Sequence, residues 1–125
     1  MVEAIPLVIN IENATKKNIA YRNVLATDND MQLVLMSIPP NEEIGTEVHE
    51  TTQFIRIEDG TGLAILNDFE YELNPNIALF IPAGTQHNII NTGNKPLKLY
   101  TLYGKPLHGS MDFFMTKEEE IEATE

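Results

Sequence analysis

Cysteine and tryptophan are both absent from the chain. Without cysteine there is no disulfide, no thiolate metal site and no thiol nucleophile, so any bound metal has to be held by histidine, carboxylate or amide groups. Positive charge is scarce: eight Lys and Arg stand against 19 Asp and Glu, a formal net charge of −11. Nucleic acids and anionic membranes are bound mainly through clustered cations, and no cluster here exceeds Lys16-Lys17, so neither is expected as a partner. Part of the acid excess is local, because the stretch from Lys117 to Glu125 holds five acids and one base and reads as a solvated acidic tail. No apolar run approaches the roughly 18 residues of a membrane helix. The opening Met1-Val2-Glu3-Ala4-Ile5-Pro6 has neither the basic start nor the apolar stretch of a secretory signal, and a soluble, cytoplasmic protein is expected.

What remains is an ordinary globular composition, 42% hydrophobic and 22% charged over 125 residues. That length suits one domain spanning 1–125. Short β-rich runs recur at close intervals, the pattern of an all-β sandwich or barrel. The expected strands are Leu7 to Ile11, Ile19 to Leu25, Met31 to Ile38, Ile44 to His49, Gln53 to Ile57, Gly62 to Leu66, Glu70 to Leu73, Ile77 to Ile81, His87 to Asn91 and Leu97 to Tyr103. The barrel core would lie at about 19–103. Between the strands, Pro39-Pro40-Asn41, Asp59-Gly60, Asn67-Asp68, Asn74-Pro75-Asn76, Pro82-Ala83-Gly84 and Thr92-Gly93-Asn94 all carry turn chemistry. In isolation Met31 to Ile38 would also suit a buried helix, but the Pro-Pro that ends it favours a strand. Only the C-terminus looks helical: Thr116 with Glu119 three residues on fits a capping box, opening a short helix through about Ala123.

Two motifs carry chemistry. In the first, Glu47-Val48-His49 is followed by Gln53 and then Gly60; positions 47, 49 and 53 share one parity, so on a strand all three can point the same way, although a turn near Glu50 to Thr52 would interrupt the count. In the second, Pro82-Ala83-Gly84-Thr85-Gln86-His87 places a tight turn just before a strand, delivering His87 at its start with Asn91 four residues on.

These segments resemble the paired motifs of the cupin superfamily. Asn41, Glu47, His49, Gln53 and Gly60 fall at the spacing of its first motif, and Asn76, Pro82, Gly84, His87 and Asn91 at that of its second. The run from about Asn23 to Tyr103 is similar to small single-domain cupins of the phosphomannose-isomerase-like group. The resemblance implies a double-stranded β-helix (jelly-roll) barrel, with one divalent metal ion per chain held by Glu47, His49, Gln53 and His87, the ion being Mn, Fe, Ni or Zn. It also implies a homodimer formed through sheet edges near the N-terminus, where the expected strand Leu7 to Ile11 would otherwise leave an unpaired ladder.

This chain departs from the family pattern at four places. Glu47 stands where the first His is usual and Gln53 where the Glu is usual, which removes one imidazole and keeps one carboxylate in an N and O donor set. Asn41 and Asn76 replace the opening glycines, and Asn tolerates a positive φ better than most residues. Each site residue also has a plainer reading. His49 and His87 could be hydrogen-bonded barrel residues, Gln53 could bond a metal-bound water instead of the ion, and Glu47 could act as a base. His108 reads as a loop residue, Asn91, Gly84 and Pro82 as structural, and Phe54, Phe80, Met36 and Tyr103 as core. The activity expected is isomerase-like, on a small sugar or keto acid. The alternatives are a non-catalytic small-molecule-binding module and a metal-dependent dioxygenase. A phosphosugar would need a cationic clamp, and from Asn41 to Gly60 six acids face Arg56 alone. His108 is the one histidine left over to serve as an acid or base near such an ion.

Overall fold

A computed structural model describes residues 5–124. Ten strands follow a first short helix and precede a second: α1 (Ile11–Lys17), β1 (Arg22–Thr27), β2 (Gln32–Ile38), β3 (Glu47–Val48), β4 (Gln53–Asp59), β5 (Gly62–Leu66), β6 (Phe69–Leu73), β7 (Ala78–Ile81), β8 (Gln86–Asn91), β9 (Leu97–Tyr103), β10 (Phe113–Phe114) and α2 (Lys117–Thr124). They form a six-stranded sheet in the order β10-β1-β2-β9-β4-β7 and a four-stranded sheet in the order β3-β8-β5-β6. Every strand pair is antiparallel. This is the expected all-β jelly roll closed by a short C-terminal helix.

Side-chain alternation fixes what lies between the sheets. Along β4, Gln53, Ile55 and Ile57 are buried while Phe54 and Arg56 are half-exposed. Their register partners Tyr103, Thr101 and Leu99 on β9 share the same interior, with Val34, Met36 and Ile38 of β2 beyond them. Ile89, Ala64 and Leu73 close the core from the smaller sheet. The interior is apolar at one end and polar at the other, where Gln53, Tyr103 and His87 sit. The two Asn turns hold as expected: Asn41 and Asn76 adopt φ of 66° and 77°.

The N-terminal strand expected at Leu7 to Ile11 does not form. Residues 5–10 are irregular, and Ile11–Lys17 is a helix. Asn10 caps it by accepting from the Asn13 amide at 3.0 Å, Glu12 sits in the first turn, and Lys16 and Lys17 sit in the last, each sign matching the helix dipole. The apolar run masked those caps. α1 packs against β4 and β9 and buries Thr15. The strand expected at Ile44 to His49 shrinks to β3, Glu47–Val48, because Gly45 takes a φ of 105° and breaks the extension. β1 begins three residues later than expected, and β10 was not foreseen. Phe80 is neither core nor pocket: it is 70% exposed on β7, the last strand of its sheet.

The acidic tail is not simply solvated. Thr116 caps α2 as expected, accepting from the Glu119 amide at 3.2 Å. Glu120 then reaches back to the buried Arg22 of β1, and Lys117 donates to the Glu43 carbonyl at 2.7 Å. Among the described residues no helix is long and apolar enough to cross a membrane.

Candidate metal centre

β3 and β8 bring the two motifs together. Glu47 pairs in register with His87, so residues forty positions apart in sequence become direct cross-strand neighbours. The Pro82 to Thr85 turn closes through the Thr85 amide and the Pro82 carbonyl at 3.1 Å, and its Gly84 amide donates to the His49 carbonyl at 2.9 Å. One turn therefore positions both histidines. Their rings lie 4.8 Å apart, and His49 Nε2 is 3.4 Å from Glu47 Oε1. The donor atoms of Glu47, His49 and His87 all fall within 4.8 Å of one another. Small side-chain rotations would bring that spread to the roughly 4 Å spanned by opposite ligands about 2.1 Å from one ion.

The hydrogen bonds leave the right atoms free. His87 Nδ1 is 3.0 Å from the Thr85 carbonyl, which can only accept, so Nδ1 carries the proton and Nε2 keeps its lone pair. That Nε2 is buried with no partner. Gln53 donates its amide NH2 to Thr101 Oγ1 at 3.0 Å, which leaves Gln53 Oε1 also buried and unpartnered. Buried polar atoms without partners are rare and costly, commonly about 1–3 kcal/mol each, and two acceptors orphaned at the mouth of one barrel fit a cation. The donor set, one carboxylate, two imidazoles and an amide oxygen, suits a borderline divalent metal.

The electrostatics agree. Burial pushes the Glu47 carboxyl up, but its hydrogen bond to His49 and the charge of the buried Arg22 work against this, and the carboxyl is held below the usual carboxylate range. Glu47 is thus ionised at neutral pH. Its side chain is 40% exposed and that of His49 only 12%, so Glu47 marks the open side of the site.

Beyond the four expected donors, three further groups line this end of the barrel. Tyr103 stands edge-on to His49, ring centroids 6.1 Å apart, and edge-on to His108 at 5.4 Å. His108 is in a loop, as its neighbours Pro106 and Gly109 suggest, yet its Nε2 is 3.3 Å from the Tyr103 hydroxyl. Burial, with the nearby Arg22 charge, drives the His108 pKa down to about 4, so the ring is neutral in the physiological range. Burial likewise pushes the Tyr103 phenol up. The third group is Arg22, whose side chain is 4% exposed and points into the barrel beside Met36. Strand periodicity left two possible faces for β1 and did not single it out. The discoverable signal was one charged residue between Ala20 and Val24 on the face that becomes buried. Asn91, taken as structural, is so: it ties β8 to the Ile38 and Lys95 carbonyls.

Residues 34–103 match the model of the Cupin domain family. The chain is 41% identical over 125 aligned residues to the uncharacterized protein YrkC of Bacillus subtilis, covering 94% of this chain and 67% of that protein. It is 44% identical to the uncharacterized protein L612 of Acanthamoeba polyphaga mimivirus, covering 81% of this chain and 66% of that one. It therefore spans about two thirds of the length of these relatives. Among solved structures, that of BH2720 from Bacillus halodurans superposes with a TM-score of 0.92 at 42% identity, covering 94% of this chain and 95% of that one. With more than half its length matched by the family model, and the two motifs joined at one site, the chain belongs to the cupin domain family.

Proposed function

We propose that this cupin holds one divalent metal ion through Glu47, His49, Gln53 and His87, and uses it to act on a small oxygen-rich metabolite of the sugar or keto-acid type. The observation that carries the assignment is the orphaned His87 Nε2, buried among the clustered donor atoms of Glu47 and His49; a second orphaned acceptor, Gln53 Oε1, sits on β4 opposite Tyr103, the ring that stands against His49. Bound there, a divalent ion would polarise a substrate carbonyl or hydroxyl oxygen as a Lewis acid. His108 supplies what an isomerase-like reaction adds to binding. Its neutral ring, hydrogen-bonded with Tyr103, sits next to the donors without belonging to them, and can take up and return a proton.

Arg56, the one cation within the first motif, lies on the outward face of β4 and donates to Asn76 Oδ1 at 2.7 Å, so it does not supply a phosphate clamp. The experiment is a screen of sugars and keto acids with metal-loaded protein in deuterated water. Isomerisation through proton transfer exchanges a substrate C–H for C–D, and His108→Asn abolishes that exchange while metal content stays the same. Metal-dependent binding with no exchange for any bound compound would instead establish a binding module.

For the assembly we propose a homodimer built on β7 rather than on the N-terminal segment. β7 ends the six-stranded sheet, pairs among the described residues with β4 alone, and presents Phe80 to solvent. An open strand edge is self-complementary in the antiparallel sense, which a second copy of this chain satisfies with two-fold symmetry.

A further inference from the structure

We propose that Arg22 is the carboxylate-binding residue of the pocket and that Glu120, on α2, is an internal stand-in for the substrate carboxylate, so that α2 has to swing away when a carboxylate ligand enters. The inference deepens the metal-site reading above by naming a chemical group of the ligand, and it rests on that reading only for the other end of the ligand.

Arg22 is a buried cation, 3% exposed, and it lies against the buried Met36 of the core. Its Nε and Nη2 both donate to the Glu120 carboxylate, a fork geometry that matches any carboxylate. Its Nη1 has the Met36 thioether, at 3.5 Å, a weak acceptor, and the guanidinium also bonds the neutral Tyr103 hydroxyl. Of its five N–H donors, two hold the Glu120 carboxylate and the rest meet weak or neutral acceptors or none. Burial works against its charge and is outweighed by Tyr103 and Glu120; because Tyr103 keeps its proton at neutral pH, Glu120 is the carboxylate that balances Arg22. Tyr103 links Arg22 to the candidate metal centre: it shares a hydrogen bond with the guanidinium, and its ring stands 6.1 Å from that of His49 and 5.4 Å from that of His108.

The partner is poorly anchored elsewhere. α2 buries none of its residues, and its first turn stacks Glu118, Glu119 and Glu120, with no basic residue in the last turn. Beyond the Arg22 pair it is fixed by the Thr116 cap and by the Lys117 bond to the Glu43 carbonyl. A helix with no apolar face against the barrel has little to hold it once its carboxylate is replaced. A residue that merely neutralised Arg22 could have come from a neighbouring strand. Here it comes from α2, a helix that buries none of its own residues.

The probe is acetate, small enough to reach Arg22 whatever else the substrate carries, with acetamide as its neutral counterpart and chloride holding ionic strength constant. It is titrated into the full chain, once with metal and once with chelator. The readouts are the Arg22 Nε–H resonance and the rate of tryptic cleavage after Lys117. Acetate is expected to shift the Arg22 signal and speed that cleavage at least fivefold, while acetamide does neither. In Glu120→Gln the half-saturating acetate concentration falls at least tenfold, and in Arg22→Met both responses vanish. Equal acetate affinity in the parent and Glu120→Gln, or a shifted Arg22 signal with unchanged cleavage, overturns the proposal. Should Glu120→Gln fail to fold, the parent's cleavage with acetate against acetamide decides alone. Responses that persist under chelator in a protein that takes up no metal would sink the metal assignment and leave this one standing. Full metal occupancy with no acetate response would do the reverse.

Discussion

Replacing Gln53 with leucine should cost little in metal-free protein and more in metal-loaded protein. In the metal-free state the substitution deletes the orphaned Oε1, whose burial costs about 1–3 kcal/mol, but it also strips the buried Thr101 Oγ1 of its partner, a cost of about 1–3 kcal/mol. The two offset, so the metal-free variant should stay within about 2 kcal/mol of the parent. For 125 residues at about 2.1 cal/mol/K each, the unfolding entropy is about 0.26 kcal/mol/K, so 1 kcal/mol moves Tm by about 4 °C. With metal present at a hundredfold excess over Kd, the parent should gain about 2.7 kcal/mol, or about 10 °C. Loss of an oxygen ligand, or of a group orienting a bound water, weakens metal affinity by about 10–100-fold and removes half or more of that gain. The metal-induced rise in Tm should therefore be smaller in the variant by about 5 °C or more. Circular dichroism melts in chelator and in excess manganese or zinc measure both states. A variant destabilised equally in each, with an unchanged metal shift, would make Gln53 an ordinary core amide and refute the reasoning.

Three other outcomes follow from the same structure. His108 has its folded pKa lowered from 6.5 to about 4, so the unfolded chain binds the extra proton first; its contribution is intact above pH 6.5 and is lost as pH falls from there toward 4. Urea titrations across that window should show a smaller acid loss for His108→Asn than for the parent, and identical slopes would contradict the burial of this ring. Ile89 is fully buried between the two sheets, so Ile89→Ala should cost about 2–5 kcal/mol in urea unfolding, whereas a loss below 1 kcal/mol would mean the core is not packed as described. Light scattering should give twice the chain mass for the parent and the single chain mass for Phe80→Lys, and a monomeric parent would rule out the β7 pairing.

The strands that the sequence announced were those whose alternation is clean and whose ends carry turn residues. Gly62–Leu66 and Leu97–Tyr103 form with the expected bounds, flanked by Gly60 and Asn67 on one side and by Pro96 and Gly104 on the other. The first segment misled because four apolar residues outweighed the caps of a helix just two turns long, a length at which hydrophobic periodicity has too few positions to register. The candidate site was legible where spacing along one strand or one turn determined it: Glu47, His49 and His87 meet as their motifs require. Arg22 and Glu120 were not legible, because their contact joins positions 98 residues apart through a helix that packs no apolar face. Such a pair leaves no periodic trace in either segment. His108 lay between these cases, since its residue type marked it while its position came only from the loop after β9 folding back on Tyr103.

The most direct test of the central claim is the metal content of protein purified without a histidine tag or chelator, set beside that of His49→Ala, His87→Ala. Near one equivalent of manganese, iron, nickel or zinc in the parent, absent from the double variant, is the predicted result. A parent that holds no metal even after reconstitution would contradict the assignment of Glu47, His49, Gln53 and His87.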